Sequence, residues 1–270
     1  MPSTTDEIQE RGFFGLFKGE SGAGKSVAAL SFPNIYVMDH DEKMPAIAQK
    51  HFPGKQISWD TFKDVFEIGD KLVEFQNNGC PYETLVCDSL TSLSYKILKS
   101  IDDAKGQNIL STLANIRTSK RGAPTLEIRG FDSYNGEDNF LKYYIDSLKT
   151  LWARPGNPKH IILIAHVLSS DSKDMKTGLT TTTRRIVTAG AKIAAYIPAQ
   201  VDNAFHFTVG MPDIGKENDP IKRICKTEAI GDDFAKTAYN LPGTIDFTGK
   251  NFYDIINREI GFDRIKAQLV

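Results

Sequence analysis

Residues 19–26 read Gly-Glu-Ser-Gly-Ala-Gly-Lys-Ser, and they fit the phosphate-loop pattern Gly-x-x-x-x-Gly-Lys-[Ser/Thr] at every fixed position. The glycines allow successive backbone N–H groups to turn toward a polyphosphate, where a side chain would clash with it. Lys25 supplies a charge for the β- and γ-phosphates, and Ser26 supplies a hydroxyl for Mg²⁺. The residues predicted to bind the nucleotide are Gly19, Glu20, Ser21, Gly22, Ala23, Gly24, Lys25, Ser26 and Val27.

The residues on either side of this motif match the structural context that a phosphate loop requires. Residues 13–17 form an apolar run of strand length directly before it. Residues 26–31 predict the first turns of a helix, which Pro33 ends. The positive end of that helix dipole would point at the phosphates. The context therefore favours a true nucleotide site over a chance match.

The composition is that of an ordinary globular protein, with 40% hydrophobic and 25% charged residues among 270. A net charge of −1 argues against an overall electrostatic attraction to nucleic acid, so such binding requires a local basic patch. The three cysteines, Cys80, Cys87 and Cys225, match no zinc or redox pattern, which favours a reducing compartment. The start of the sequence is polar and does not match a signal peptide. The longest apolar run, residues 161–167, is too short to span a membrane. We therefore expect a cytoplasmic protein that binds no membrane.

Short β-type runs alternate with helical patterns along the chain. The predicted strands are 13–17, 35–38, 84–87 and 160–165, and the predicted helices are 61–76, 90–101 and 140–152. Continuously apolar strands separated by helices indicate an α/β fold with a mostly parallel sheet covered on both faces. Residues 201–209 and 222–227 predict a hairpin that adds to the sheet in antiparallel fashion, and 252–259 predict a terminal helix. We expect one domain over residues 1–270, with a core of about 12–245 and a C-terminal helix within 250–270.

Polar side chains follow the predicted strands at the edge of the sheet where ligands bind. Asp88 ends an apolar strand, as does the Walker B aspartate that holds the Mg²⁺ shell, although aspartate there also caps helices. Asp41 is the first choice for the group that polarises the attacking water. It follows the second predicted strand, which neighbours the phosphate loop in one branch of the P-loop superfamily. Glu42 is the alternative if the register shifts by one residue, and helix capping by Asp39 or Asp41 is the structural alternative.

His166 follows the fourth predicted strand, and it is a candidate sensor of the γ-phosphate that would move the segment after it. A histidine satisfied by local backbone is the alternative. Together, Lys25, Asp41, Asp88 and His166 are the predicted catalytic residues, and Ser26 and Asp88 are the predicted metal ligands.

Two long segments, 105–138 and 168–190, fit no predicted element and are polar. The second carries basic residues among serines and threonines, a combination suited to phosphate-backbone contacts and equally to a solvated loop. Its predicted DNA-binding residues are Lys173, Lys176, Arg184 and Arg185. Lys226 and Lys236 flank a late turn, and either could reach the γ-phosphate of a neighbouring subunit as a finger acting in trans.

The phosphate loop and three further segments resemble the RecA-like core of phage-encoded P-loop ATPases of the AAA_24 group. These segments are Met-Asp-His-Asp-Glu at 38–42, Val-Cys-Asp-Ser-Leu-Thr-Ser-Leu at 86–93 and Ile-Leu-Ile-Ala-His-Val at 162–167. Residues 189–205 and 235–242 also resemble that group, and the resemblance covers about residues 12–245. Sak-type single-strand annealing and recombination ATPases are the relatives that it suggests.

The resemblance implies a RecA-like fold that binds ATP and Mg²⁺. It places Asp41 at the position of the catalytic glutamate, His166 at that of the γ-phosphate-sensing glutamine, and 168–190 at the second DNA-binding loop. It also implies single-stranded DNA as a partner, a homo-oligomer (ring or filament), a single-strand binding protein as a further partner, and the host-cell cytoplasm as location. Asp41 is one methylene shorter than glutamate, which predicts slow hydrolysis. Compared with RecA, we expect no separate N-terminal oligomerisation helix and no separate C-terminal domain, which weakens the expectation of a RecA-type filament.

Three hypotheses for the function follow. The first is an ATPase of phage recombination or replication that acts on single-stranded DNA and is stimulated by it. The second is a P-loop phosphotransferase acting on a small molecule, with 105–138 as a lid. The third is a module that binds nucleotide as a conformational switch without hydrolysing it, which the unusual Asp41 motivates.

Overall fold

The computed structural model describes residues 12–106, 133–153, 160–173, 180–210, 221–229 and 234–262. The strands are β1 (Phe14–Gly19), β2 (Ile35–Asp39), β3 (Ile57–Asp60), β4 (Thr84–Asp88), β5 (His160–Lys173), β6 (Thr180–Ile186), β7 (Asn203–Gly210), β8 (Lys222–Lys226) and β9 (Thr244–Asp246). The helices are α1 (Lys25–Ala29), α2 (Met44–His51), α3 (Val65–Asn78), α4 (Leu90–Gly106), α5 (Ser133–Trp152), α6 (Ala191–Gln200) and α7 (Phe252–Ile260).

Eight of these strands form one path through the sheet, in the order β3-β2-β4-β5-β1-β7-β8-β9. The strands from β3 to β7 are parallel, and β8 and β9 continue the sheet in antiparallel fashion. This is the predicted α/β fold, a RecA-like P-loop core with antiparallel additions. The predicted orientation of 201–209 is wrong, because β7 pairs with β1 in parallel. Helix α6 crosses over before β7 and makes the parallel pairing possible.

Both faces of the sheet are buried. All six residues of β1 are buried, and they alternate between two cores: Leu16 belongs to one hydrophobic cluster and Phe17 to the other. Helices α3 to α6 contribute to the first cluster, and α1, α2 and α7 contribute to the second. The central strands are apolar throughout because both of their faces are covered, as the sequence predicted.

Helix α7 packs into the second hydrophobic cluster. Phe252 and Ile256 are almost fully buried, and the Phe252 ring lies 5.7 Å from that of Phe17. The helix ends at Gly261, which adopts a left-handed conformation with φ 83°. The predicted helix within 250–270 is thus shorter than that range, and residues 263–270 lie outside the described part of the chain.

Several predicted boundaries are displaced. The helix predicted from residue 61 begins at Val65, because the Asp64 carboxylate accepts hydrogen bonds from the backbone N–H groups of Phe66 and Glu67. The helix predicted over 140–152 begins at Ser133 and includes part of the segment predicted as a loop. Elements β3, β6, β9, α2 and α6 were not predicted.

The segment predicted as a loop over 168–190 is largely a β-hairpin. Strand β5 continues past His166 to Lys173, and β6 returns antiparallel to it, with Val167 opposite Ile186. Residues 174–179, which include Lys176, lie outside the described residues. Within the described part of the chain, no helix is long and apolar enough to cross a membrane.

Candidate active site

The strand, loop and helix predicted around the motif are all present, as β1, residues 20–24 and α1. Gly24 has φ 94°, a left-handed conformation that favours glycine. A Cβ on Gly24 would also collide with the guanidinium of Arg223. Gly19 has φ 153°, and a Cβ there would collide with the carbonyl oxygen of Phe207. Backbone conformation therefore favours glycine at both positions, and at Gly19 the fixed backbone oxygen of Phe207 also leaves no room for a side chain.

Lys25 lies at the first residue of α1 and is buried. Its Nζ donates hydrogen bonds to the carbonyl oxygens of Gly19 at 2.9 Å and Glu20 at 2.8 Å. Burial lowers the pKa of Lys25 to about 8, although the nearby carboxylates of Asp88 and Asp41 act in the opposite direction. The ammonium group is therefore held at the mouth of the loop and is poorly solvated, so an anionic phosphate would be a strong partner for it.

Asp88 and Ser26 meet at the end of β4. The Asp88 carboxylate is only 4% exposed, and the side chain of Ser26 hydrogen-bonds to it. Burial raises the pKa of Asp88 to about 6, and the charges of Asp41 and Asp39 add to this effect. A hydroxyl and a carboxylate with excess negative charge around them form an oxygen donor set that suits Mg²⁺. The Asp88–Ser89 peptide bond is cis.

Asp41 faces the loop, although β4 and β5 lie between β2 and β1. The argument that β2 neighbours the phosphate-loop strand is therefore wrong, yet Asp41 still lines the same cavity as Lys25. The Ser89 hydroxyl donates to Asp41 Oδ1 at 2.9 Å, and His166 Nε2 lies 3.7 Å from Asp41 Oδ2. Burial acts to raise the pKa of Asp41, but hydrogen bonds from His166 and nearby serines outweigh it and hold the pKa well below its usual value.

The alternatives to Asp41 have other partners. Asp39 caps α2, since its carboxylate accepts hydrogen bonds from the backbone N–H groups of Met44 at 2.8 Å and Lys43 at 3.4 Å. Glu42 is exposed and forms an ion pair with Lys96 at 3.2 Å. The capping role considered for Asp39 or Asp41 thus belongs to Asp39, and Glu42 points away from the cavity.

His166 connects the phosphate loop to Asp41. It lies opposite Gly19 in the pairing of β5 with β1, and its backbone N–H donates to the Thr91 hydroxyl at 3.0 Å. Its Nδ1 lies 3.5 Å from Lys25 Nζ. One imidazole therefore contacts both the lysine and the carboxylate, at the point where β5 leaves the central sheet for its hairpin with β6.

These groups line a cavity of about 290 Å³ above the phosphate loop. The cavity is lined by Lys25, Asp41, Asp88 and His166, and also by Val27, His51 and Arg223. Arg223 was not singled out in the sequence. The signal that could have found it is its position two residues before the buried Cys225, since alternate strand residues share a face. That shared face is the one covered by α1.

The remaining predicted residues lie away from this cavity. Lys226 pairs with His206 in the β7–β8 ladder, and Lys236 forms an isolated bridge with Ala204, so neither lines the cavity of its own chain. Arg184 and Arg185 are exposed on β6, and Lys173 ends β5.

The fold and this site define a P-loop ATPase of the RecA-like class. The family model AAA_24, described as an AAA domain, matches residues 14–239. The chain therefore belongs to that family. No curated protein matches it.

Two solved structures from archaea resemble the chain at low sequence identity. A KaiC-like protein from Pyrococcus horikoshii OT3 is 12% identical, with a TM-score of 0.41, over 88% of this chain and 90% of that one. The flagellar accessory protein FlaH from Methanocaldococcus jannaschii is 11% identical, with a TM-score of 0.42, over 91% of this chain and 90% of that one.

Proposed function

We propose that this chain hydrolyses ATP bound at the phosphate loop, binds single-stranded DNA, and changes its affinity for the DNA during the nucleotide cycle. The observation that carries the proposal is the convergence on one cavity of Lys25, at the start of α1, with Asp41 after β2, Asp88 at the end of β4 and His166 on β5. Family membership supports nucleotide hydrolysis as the activity. The hairpin that continues directly from His166 supports the coupling.

Asp41 is the proposed group that polarises the attacking water. Its low pKa keeps the carboxylate ionised and able to accept a hydrogen bond at neutral pH. Lys25 would stabilise charge on the β- and γ-phosphate oxygens. His166 would exchange its contacts with Lys25 and Asp41 for a contact with the γ-phosphate, and this change would displace the start of the β5–β6 hairpin.

Ser26 and Asp88 would hold Mg²⁺, since the Ser26 hydroxyl hydrogen-bonds to the buried Asp88 carboxylate, whose pKa is raised mainly by burial and further by the charges of Asp41 and Asp39. The ion would supply charge neutralisation to the triphosphate.

Binding of Mg·ATP should weaken as the pH falls below about 6, because a metal ion beside Asp88 must then compete with a proton. Below its pKa the Asp88 carboxyl group is protonated, and it must release about one proton when the cation binds. The affinity for Mg·ATP should therefore fall about tenfold per pH unit below that pKa. Isothermal titration calorimetry between pH 5 and 8 measures this dependence. Asp88→Asn is the control, because the titration of the nucleotide itself is common to both proteins. An identical pH profile for the two proteins would contradict the role of Asp88.

The β5–β6 hairpin is the proposed DNA-binding surface. Arg184 lies opposite Ser169 and Arg185 lies opposite Leu168, and all four residues are exposed. Because successive strand residues alternate faces, Arg184 and Ser169 lie on one face of the hairpin and Arg185 and Leu168 on the other. A guanidinium beside a serine hydroxyl suits contacts with the phosphate backbone on the first face, and a leucine beside a guanidinium offers an apolar surface to unpaired bases on the second. Lys173, the last residue of β5, and Lys176, which lies outside the described residues, are further proposed DNA contacts on the basis of the sequence.

The Arg184→Ala/Arg185→Ala double variant should lose DNA affinity and DNA-stimulated ATP turnover while it keeps turnover without DNA. Each phosphate contact on single-stranded DNA contributes about 0.7 to the slope of log affinity against log salt, so loss of two contacts should reduce that slope by about 1.4. Fluorescence anisotropy with labelled single-stranded DNA, together with phosphate release, measures both effects. Arg258→Ala is the matched control, since Arg258 is an exposed arginine on α7 beside Glu259. If the wild type with ATP does not bind single-stranded DNA at low salt, the DNA part of the proposal is wrong.

We also propose a homo-oligomer, a ring or a filament, in which Lys226 or Lys236 of one subunit reaches the cavity of the next. This is supported by the position of both lysines outside the cavity of their own chain. Phage recombination or replication in the host cytoplasm, with a single-strand binding protein as partner, is the biological setting that we propose.

A further inference from the structure

Four hydroxyl side chains lie within six residues at the start of α4, where residues 89–94 read Ser-Leu-Thr-Ser-Leu-Ser. Leu90 and Leu93 are fully buried and anchor this turn in the first hydrophobic cluster. The Ser89 oxygen accepts a hydrogen bond from the backbone N–H of Ser92 at 3.3 Å, as a helix-capping serine does. Capping therefore accounts for one hydroxyl group, and the other three contact other parts of the chain.

Asp41 lies in the short connection between β2 and α2, where the backbone follows an unusual path. Glu42, the next residue, has φ 59°, a left-handed conformation that a residue with a Cβ rarely adopts. The Asp88 carbonyl oxygen accepts hydrogen bonds from the N–H groups of His40 at 2.7 Å and Asp41 at 3.2 Å. Such a conformation persists only where the surrounding contacts fix it. The position of the Asp41 carboxylate therefore depends on its neighbours.

The start of α4 supplies two of these contacts. The Ser92 hydroxyl donates a hydrogen bond to the Asp41 carboxylate, and the Ser89 hydroxyl donates to its Oδ1 at 2.9 Å. His166 Nε2 approaches the other oxygen, Oδ2, at 3.7 Å. A carboxylate offers about four lone-pair sites, so these contacts fix its orientation and still leave room for a water molecule to donate to it. A group that polarises the attacking water needs this combination.

Thr91 provides a corresponding contact to the backbone of His166. Strand β5 pairs with β4 only as far as Leu163 opposite Cys87, so β4 provides no hydrogen-bond partner three residues later. The Thr91 hydroxyl takes this place, since it accepts from the His166 N–H at 3.0 Å and is only 8% exposed. Helix α4 therefore holds the backbone of His166 at the point where the central sheet ends.

We propose that Ser92 and Thr91 are positioning residues for ATP hydrolysis. The first fixes the Asp41 carboxylate, and the second fixes the backbone of His166. This inference rests on the proposed function. The two hydroxyl residues are consecutive on one helical turn, so that turn sets the distance between the base and the sensor. Neither of them lines the cavity, and each therefore acts through its partner rather than on the nucleotide.

Ser92→Ala removes a hydroxyl that holds Asp41. It should reduce single-turnover ATP hydrolysis about 10- to 100-fold, as expected for a catalytic group displaced by up to about 1 Å. The affinity for Mg·ATP should stay within about twofold, because the nucleotide contacts are unchanged. Ser92→Thr keeps the hydroxyl and should restore the rate. Ser100→Ala is the matched control on the same helix, since the Ser100 hydroxyl donates to the Lys96 carbonyl outside the cavity, and it should change neither quantity.

A double-mutant cycle with Asp41→Asn separates positioning from a general effect on the fold. If Ser92 acts through Asp41, adding Ser92→Ala to Asp41→Asn should cause little further loss of rate. Two losses that multiply would overturn the role of Ser92, and so would wild-type turnover in folded Ser92→Ala protein. If the wild type does not hydrolyse ATP, the proposed function fails, and the positioning role fails with it.

Thr91→Val keeps the shape of the side chain but removes the acceptor for the His166 N–H. Single-turnover hydrolysis should fall about 3- to 30-fold, since the sensor is displaced and the base is not. Thr91→Ser should restore the rate, and Thr91→Val should add little to the loss caused by His166→Ala. The melting temperature of each variant reports its folding. Full activity of folded Thr91→Val, or a loss that multiplies with that of His166→Ala, would overturn the role of Thr91.

Discussion

Lys25→Ala should reduce ATP turnover about 100- to 1,000-fold, the range for loss of one preorganised group that stabilises transition-state charge. The Lys25 ammonium is buried and donates hydrogen bonds to the neutral carbonyl groups of Gly19 and Glu20. Burial also lowers its pKa to about 8, so the charge is costly to hold without an anionic partner. A polyphosphate on the loop would provide that partner. Affinity for Mg·ATP should fall with turnover, because the lysine contacts the ground state as well.

The control for this substitution is Lys63→Ala, which removes an exposed lysine that does not line the cavity. It should leave turnover within about twofold of the wild type, as expected for a surface substitution away from the site. The free energy of unfolding of Lys25→Ala should not fall greatly, because the substitution removes a poorly solvated charge from the protein interior. A folded Lys25→Ala protein that retains wild-type turnover would place the chemistry elsewhere.

Asp41→Asn should reduce single-turnover ATP hydrolysis about 100- to 10,000-fold, the range attributed to a positioned general base, and should leave Mg·ATP affinity within a few-fold of the wild type. Asparagine keeps the shape of the side chain and can still accept the hydrogen bond from Ser89, but it is uncharged and polarises a neighbouring water much less than a carboxylate does. The separation of turnover from binding distinguishes this role from a structural one.

The neighbouring residue provides a matched control. Glu42→Gln makes the same change, from carboxylate to amide, one residue along, and Glu42 pairs with Lys96 outside the cavity. It should hydrolyse ATP at close to the wild-type rate. If Glu42→Gln lost activity and Asp41→Asn kept it, the assignment of the base would be wrong by one residue.

The phosphate loop and the central strands could be predicted from the sequence because their residues obey strong local constraints. A strand buried on both faces must be apolar throughout, and a loop around phosphate needs glycine at fixed positions. Strand β3 escaped prediction because it lies at the edge of the sheet, has only four residues and exposes two of them. Strand β6 had a usable signal in the threonine run over 180–183, since β-branched residues favour strands.

The order of strands could not be predicted, because it depends on contacts between distant segments. Examples are the parallel pairing of β7 with β1 and the position of β4 and β5 between β2 and β1. Arg223 could not be predicted for the same reason. A single arginine on a short strand belongs to no recognisable motif, and it lines the site only because the sheet places β8 beside the phosphate loop. Asp41 was selected on an incorrect neighbour relation, yet it faces the site because β2 ends at the same edge of the sheet as β4 and β5.

Calorimetric titration of the folded wild-type protein with Mg·ATP and with Mg·ADP tests the central claim most directly. The account predicts saturable binding of both nucleotides at one site per chain, with binding greatly weakened in Lys25→Ala. Absence of binding heat for both nucleotides, together with failure of either to displace a fluorescent analogue, would contradict it.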